Sequence, residues 1–174
     1  MNSGRLILYP TDTVWGLGCD ATSKEAVSKI YELKNREESK SLVILVDSLK
    51  MLQKYVEVIP NEVLILLEKT LSPTTIIYSN PNSLAENTIA SDRTIAIRIP
   101  NHEFCQSLIK KFGKPIVSTS ANISGKPTPT SFSEISQPIL EGVDYVVNLE
   151  REKITDKSST ILKLVGDKVE VIRP

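Results

Sequence analysis

One histidine and two cysteines, Cys19 and Cys105, in 174 residues cannot assemble a His/Cys metal cluster or a disulfide framework, which excludes structural zinc. No stretch approaches the roughly 18 consecutive apolar residues of a membrane span, and the apolar run in MNSGRLILYP is too short for a secretory signal. A cytoplasmic, non-membrane protein is expected. Net charge is also missing: 21 Lys and Arg balance 21 Asp and Glu, so no global field holds a polyanion and any basic site must be local. Aromatic residues make up only 5% of the chain, which argues against a stand-alone RNA binder built on a stacking platform. Neither G-x-x-x-x-G-K-[ST] nor G-x-G-x-x-G occurs, because Gly16 and Gly18 lack the third glycine. A nucleophilic triad would have to use His102, which PNHEFC places at a helix start as a surface or capping residue.

What is present suits one well-cored domain spanning 1–174, with 40% hydrophobic residues. Strand-like runs recur at Arg5 to Tyr9, Ser41 to Val46, Thr74 to Tyr78, Thr94 to Ile99, Pro115 to Ser118, Tyr145 to Asn148, Ser159 to Leu164 and Lys168 to Ile172. Helical patterns over Ser23 to Asn35, Asn61 to Lys69 and Glu103 to Phe112 lie between them, which predicts an α/β layered fold of seven or eight strands. Gly166-Asp167 between two apolar runs predicts a terminal hairpin, hence a mixed sheet.

Two segments carry the chemistry. YPTDTVWGLG (Tyr9 to Gly18) and STSANISG (Ser118 to Gly125) each follow an apolar run and break into small hydroxyl, amide and glycine residues, as a ligand-presenting loop does. Around them are hydroxyls (Thr11, Thr13, Ser118 to Ser120, Thr128, Ser158 to Thr160) and cations (Lys34, Arg36, Lys40, Arg93, Arg98, Arg173). This inventory suits anion binding and positioning better than acid–base work. Several residues allow two readings. Lys34, Arg36 and Lys40 bracket a polyphosphate or simply complement a helix dipole. Arg98, inside the TIAIRIP strand, anchors a ligand carboxylate or pairs internally with Asp or Glu. Ser158 to Thr160 bind ligand or cap a turn, Arg173 belongs to a site or a solvated tail, and Trp15 walls a site or fills the core.

In order, YPTDTVWGLG, the K-x-R of Lys34 and Arg36, TIAIRIP, STSANISG followed by PT, SSTIL and a terminal IRP strongly resemble the YrdC/Sua5 family from Arg5 to Arg173. The resemblance implies a YrdC-like α/β fold with a twisted mixed parallel/antiparallel sheet, flanking helices and a concave cleft. It also implies L-threonylcarbamoyladenylate synthase activity, which joins L-threonine, bicarbonate and ATP and releases pyrophosphate. The product then serves a separate transferase complex that modifies adenosine 37 of tRNA. By the same resemblance Thr13, Arg98, Ser118 and Ser159 hold the threonine moiety. Lys34, Arg36, Lys40, Thr94, Ser120, Asn122, Thr128 and Arg173 surround the nucleotide, with Mg2+ bridging its phosphates. No side chain is expected to act as nucleophile. Weak tRNA binding is a further expectation. The alternatives are a non-catalytic RNA-binding module and an enzyme that forms a carbamoyl-adenylate from another substrate such as carbamoyl phosphate. Departures from the family pattern are Glu37 and Glu38 after Arg36, Ser41 before Leu42, Leu71-Ser72 before Pro73, and Trp15 in place of a smaller aromatic.

Overall fold

The computed structural model describes residues 4–38, 41–165 and 168–174. Its nine strands are β1 (Ile7–Tyr9), β2 (Gly16–Gly18), β3 (Val43–Leu45), β4 (Thr74–Ser79), β5 (Thr94–Arg98), β6 (Ile116–Ser120), β7 (Tyr145–Val146), β8 (Thr160–Val165) and β9 (Lys168–Arg173). They form one sheet in the order β7-β1-β2-β6-β3-β5-β4-β8-β9. The pairs β1/β7, β3/β5 and β4/β8 are parallel and the others antiparallel, so the sheet is mixed, as expected. β8 and β9 form the expected terminal antiparallel pair; Gly166 and Asp167 lie outside the described residues.

The strand β2 was not expected, because GLG reads as loop chemistry. It pairs with both β1 and β6. A Cβ on Gly18 would lie 2.6 Å from the Val117 carbonyl oxygen and 2.8 Å from Tyr9 Cε1. The glycine is there for close approach.

Among the described residues, five α-helices accompany the sheet: α1 (Lys24–Lys34), α2 (Leu49–Leu52), α3 (Asn61–Lys69), α4 (Glu103–Phe112) and α5 (Gln137–Gly142). In α1, Ser23 caps the start through its side chain, Ala26, Val27, Ile30 and Tyr31 are buried, and Asn35 in the left-handed region (φ 48°) ends the helix. His102 caps α4 by accepting from the Cys105 amide at 3.4 Å, the capping role its position predicts. The short α2 and α5 carry too few residues for a periodic signal and were not anticipated.

Strand alternation gives the sheet two unlike faces. Val117, Ile44, Ile97, Ile76 and Leu162 pair successively across five strands and are all buried in the core shared with α1, α3 and α4. One residue along, Ser118, Val43, Ala96, Ile77 and Lys163 form the matching row on the other face, which is half-exposed from Val43 outward. Arg98 lies on this second face. Among the described residues no helix is long and apolar enough to cross a membrane.

Candidate functional site

A cavity of about 430 Å3 opens on that second face. Its walls come from the turn between β1 and β2 (Thr13, Val14, Trp15, Gly16), the segment after α1 (Arg36, Ser41, Leu42), β6 (Ser118, Thr119, Ser120), Thr128, and the approach to β8 (Asp156, Ser158, Ser159). Arg98 and Arg173 line it from β5 and β9. Eight of the twelve sequence-nominated residues therefore meet here: Thr13, Arg36, Arg98, Ser118, Ser120, Thr128, Ser159 and Arg173.

Of its two readings, Arg98 shows the internal pairing, and it also lines the cavity. Its side chain is 5% exposed and faces Asp12 Oδ1 at 3.5 Å, while Nη1 donates to Thr13 Oγ1 at 3.2 Å. Asp12 Oδ2 in turn accepts from the Asn101 amide at 3.0 Å. A buried guanidinium needs an anion nearby, and Asp12 supplies it from behind the cavity wall. Among the described residues, Arg98 Nε and Asp12 Oδ1 have no hydrogen-bond partner.

Lys34 does not line the cavity. Its ammonium lies behind the β6 loop, donating to the carbonyls of Ser120 and Asn122 and, at 3.3 Å, to Asn122 Oδ1. Asn122 Oδ1 also accepts from the Ser120 hydroxyl at 2.6 Å, and Asn122 Nδ2 donates to the Lys126 carbonyl at 2.6 Å. Lys34 and Asn122 thus brace the loop that presents Ser118 to Ser120. Burial, with Arg36 second, pulls the Lys34 ammonium down to about 8.

Arg36, turned by Asn35 toward the cavity, donates from Nη2 to the Ser41 carbonyl at 3.0 Å. The carboxylates that follow it do not line the cavity: Glu37 and Glu38 are exposed along an outer cleft, and Glu38 accepts from Ser28 on α1. Lys40 lies outside the described residues. Thr94 is also apart from the cavity lining; its hydroxyl donates to Asp92 Oδ1 at 2.6 Å in the turn before β5.

Ser159 is buried, exchanging a 2.8 Å hydrogen bond with the Thr75 hydroxyl. Arg173 is no free tail: Nε and Nη2 both donate to the Ser159 carbonyl, at 3.2 and 2.7 Å. Trp15, 2% exposed, both lines the cavity and packs on Phe132 at 5.0 Å between ring centroids. Sequence reasoning left Asp12, Thr75 and Asp156 unassigned. Asp12 stands inside the YPTDTV motif and was within reach; Asp156 belongs to a segment with no motif.

Among the described residues, the lining carries three guanidiniums and one carboxylate, Asp156. No nucleophile stands out. Burial pushes the Cys105 thiol up to about 12 and the Cys19 thiol well above its usual range, which keeps both inert. Tyr9, raised by burial, stays protonated. The cavity can thus bind anions and fix donors around them, as transfer between bound substrates requires.

The Sua5_yciO_yrdC family model, described as "Telomere recombination", matches residues 1–174. The chain is 37% identical to a threonylcarbamoyl-AMP synthase of Pseudoalteromonas translucida, over 83% of this chain and 79% of that one. It is 35% identical to a putative threonylcarbamoyl-AMP synthase of Methanocaldococcus jannaschii, over 98% and 80%. Pyrococcus abyssi Sua5 complexed with L-threonine superposes with a TM-score of 0.89 at 30% identity, over 98% of this chain but only 50% of that one. E. coli YciO superposes at 0.83 with 25% identity, over 98% and 82%. Matched along its whole length and similar in fold to these structures, the chain belongs to the Sua5/YciO/YrdC family.

Proposed function

We propose that this protein is an L-threonylcarbamoyladenylate synthase, acting on L-threonine, bicarbonate and ATP in the cytoplasm. The observation that carries the reading is one cavity gathering Arg36, Arg98 and Arg173 with Thr13, Ser118, Ser120 and Ser159, and no activated nucleophile among its walls. Relatives bearing the synthase name, and a Sua5 structure holding L-threonine, support the same substrate class.

The chemistry asks for such a cavity. Threonine's amine and bicarbonate condense to a carbamate with loss of water. A carbamate oxygen then attacks the α-phosphorus of ATP, the bond to the β-phosphate oxygen breaks, and pyrophosphate leaves. The substrates supply nucleophile and leaving group. The protein's task is to hold a carboxylate, a carbamate and a triphosphate together against their repulsion, which fixed guanidiniums and hydroxyl donors reduce. In this reading Arg98 takes the threonine carboxylate, with Thr13, Ser118 and Ser159 around it. Arg36, Ser120, Thr128 and Arg173 face the nucleotide, while Lys34 and Asn122 hold the loop in shape.

Magnesium fits as an ion that arrives on the triphosphate and keeps most of its waters. Asp156 is the one carboxylate lining the cavity, and no cluster of three His, Cys, Asp or Glu side chains occurs among the described residues. The ion would neutralise phosphate charge. The product would pass to a separate complex that modifies tRNA.

Pyrophosphate release from ATP, measured with threonine or bicarbonate omitted in turn, tests the reading. Release that needs both supports it. Release driven instead by carbamoyl phosphate without threonine would replace it.

A further inference from the structure

Hydrogen-bond accounting in the turn between β1 and β2 fixes the direction of one hydroxyl proton. Thr11 Oγ1 lies 2.8 Å from the Val14 carbonyl, which can only accept, so the Thr11 proton is committed there. The Thr11 oxygen then accepts twice, from the Thr13 amide at 3.0 Å and from the Thr13 hydroxyl at 2.9 Å. The Thr13 proton is therefore committed to Thr11. Arg98 Nη1, which can only donate, occupies one acceptor site of Thr13 Oγ1 at 3.2 Å. A single acceptor site is left on a side chain that lines the cavity.

We propose that Thr11, itself outside the cavity lining, is a positioning residue that locks Thr13 as a hydrogen-bond acceptor, so that the substrate's α-amino N–H docks on Thr13 while its carboxylate takes Arg98. The proposal rests on the synthase reading. A carboxylate carries only acceptors and gains nothing from a lone pair, whereas an amine offers N–H. Arg98 and Thr13 are hydrogen-bonded neighbours, so one amino acid can span both through the two groups on its α-carbon. The amine is the atom that acquires the carboxylate from bicarbonate. Holding it by an N–H orients the nitrogen without consuming the electron pair that forms the new C–N bond.

Calorimetric titration with L-threonine and with 3-hydroxybutyrate, which keeps carboxylate and hydroxyl but lacks the amine, tests this in wild type, Thr11→Val and Thr11→Ser. Wild type should bind 3-hydroxybutyrate at least ~10-fold more weakly than threonine. In Thr11→Val the ratio should shrink to within ~3-fold with ATP affinity unchanged, and Thr11→Ser should restore it. A wild-type ratio near one overturns the proposal, even should Thr11→Val not fold. A folded Thr11→Val with the wild-type ratio, or Thr11→Ser without it, overturns it too. No threonine binding by wild type at all would instead overturn the synthase reading, and the proposal with it.

Discussion

The Lys34 ammonium donates to the Asn122 carbonyl at 2.6 Å and to the Asn122 side-chain oxygen at 3.3 Å, tying the end of α1 to a loop 88 residues away. The same ammonium holds the Ser120 carbonyl, so removing it leaves several half-buried oxygens short of a donor. Between about 8 and the ~10.4 of an unfolded lysine, the unfolded chain carries a proton that the folded chain has released, so this group's contribution to stability rises with pH. The charge on the brace is lost over the same window. Turnover limited by ATP should fall as pH rises through about 8 without a parallel fall in thermal midpoint from this group. A profile of kcat/KM for ATP that is flat through 8 would contradict the bracing role.

The guanidiniums of Arg98 and Arg36 should separate kinetically. Arg98→Lys keeps a cation beside Asp12 but loses the planar fork, so KM for threonine should rise ~10-fold or more with KM for ATP little changed. Arg36→Ala should do the reverse. Steady-state kinetics varying each substrate in turn would decide, and equal effects on both KM values in either variant would break the assignment.

The Thr75 hydroxyl hydrogen-bonds the Ser159 hydroxyl at 2.8 Å. Thr75→Val keeps the shape of a completely buried side chain and removes that bond, at a cost of about 1–3 kcal/mol. Threonine binding should weaken together with a lower thermal midpoint. Weakened ATP binding alone would mean Ser159 serves the nucleotide.

A methyl group at Gly18 meets backbone and a buried ring, neither of which can move cheaply. Gly18→Ala should destabilise by about 1–3 kcal/mol, read from denaturant midpoints. The sequence placed this residue in a loop, and a neutral outcome would mean that β2 does not pack as described.

That misplacement shows where sequence reading stops. All eight strands with an Ile, Val or Leu signal exist, and α3 and α4 match their patterns residue for residue. In the strand β2, Tyr9 and Val117 crowd Gly18 while Ser118, Thr11 and Tyr9 close on Gly16, and crowding leaves no mark in a periodicity. At the site, Arg98, Ser118, Ser120 and Arg173 reach the cavity on strands, whereas Arg36 comes from the segment after α1 and Thr128 from the segment after β6. Lys34 was nominated for the nucleotide, but where its ammonium points depends on how α1 packs behind β6, a tertiary fact. An acidic partner for Arg98 was one of its readings and Asp12 stood in a named motif, but which carboxylate it meets was set by the order of strands, which brings together residues 86 positions apart.

Mass detection of threonylcarbamoyl-AMP from purified protein, ATP, magnesium, L-threonine and 13C-bicarbonate tests the central claim most directly. The account predicts an adenylate one mass unit heavier than with ordinary bicarbonate, absent without threonine and strongly reduced in Arg98→Lys. An active control synthase beside a folded protein that yields no such adenylate would contradict it.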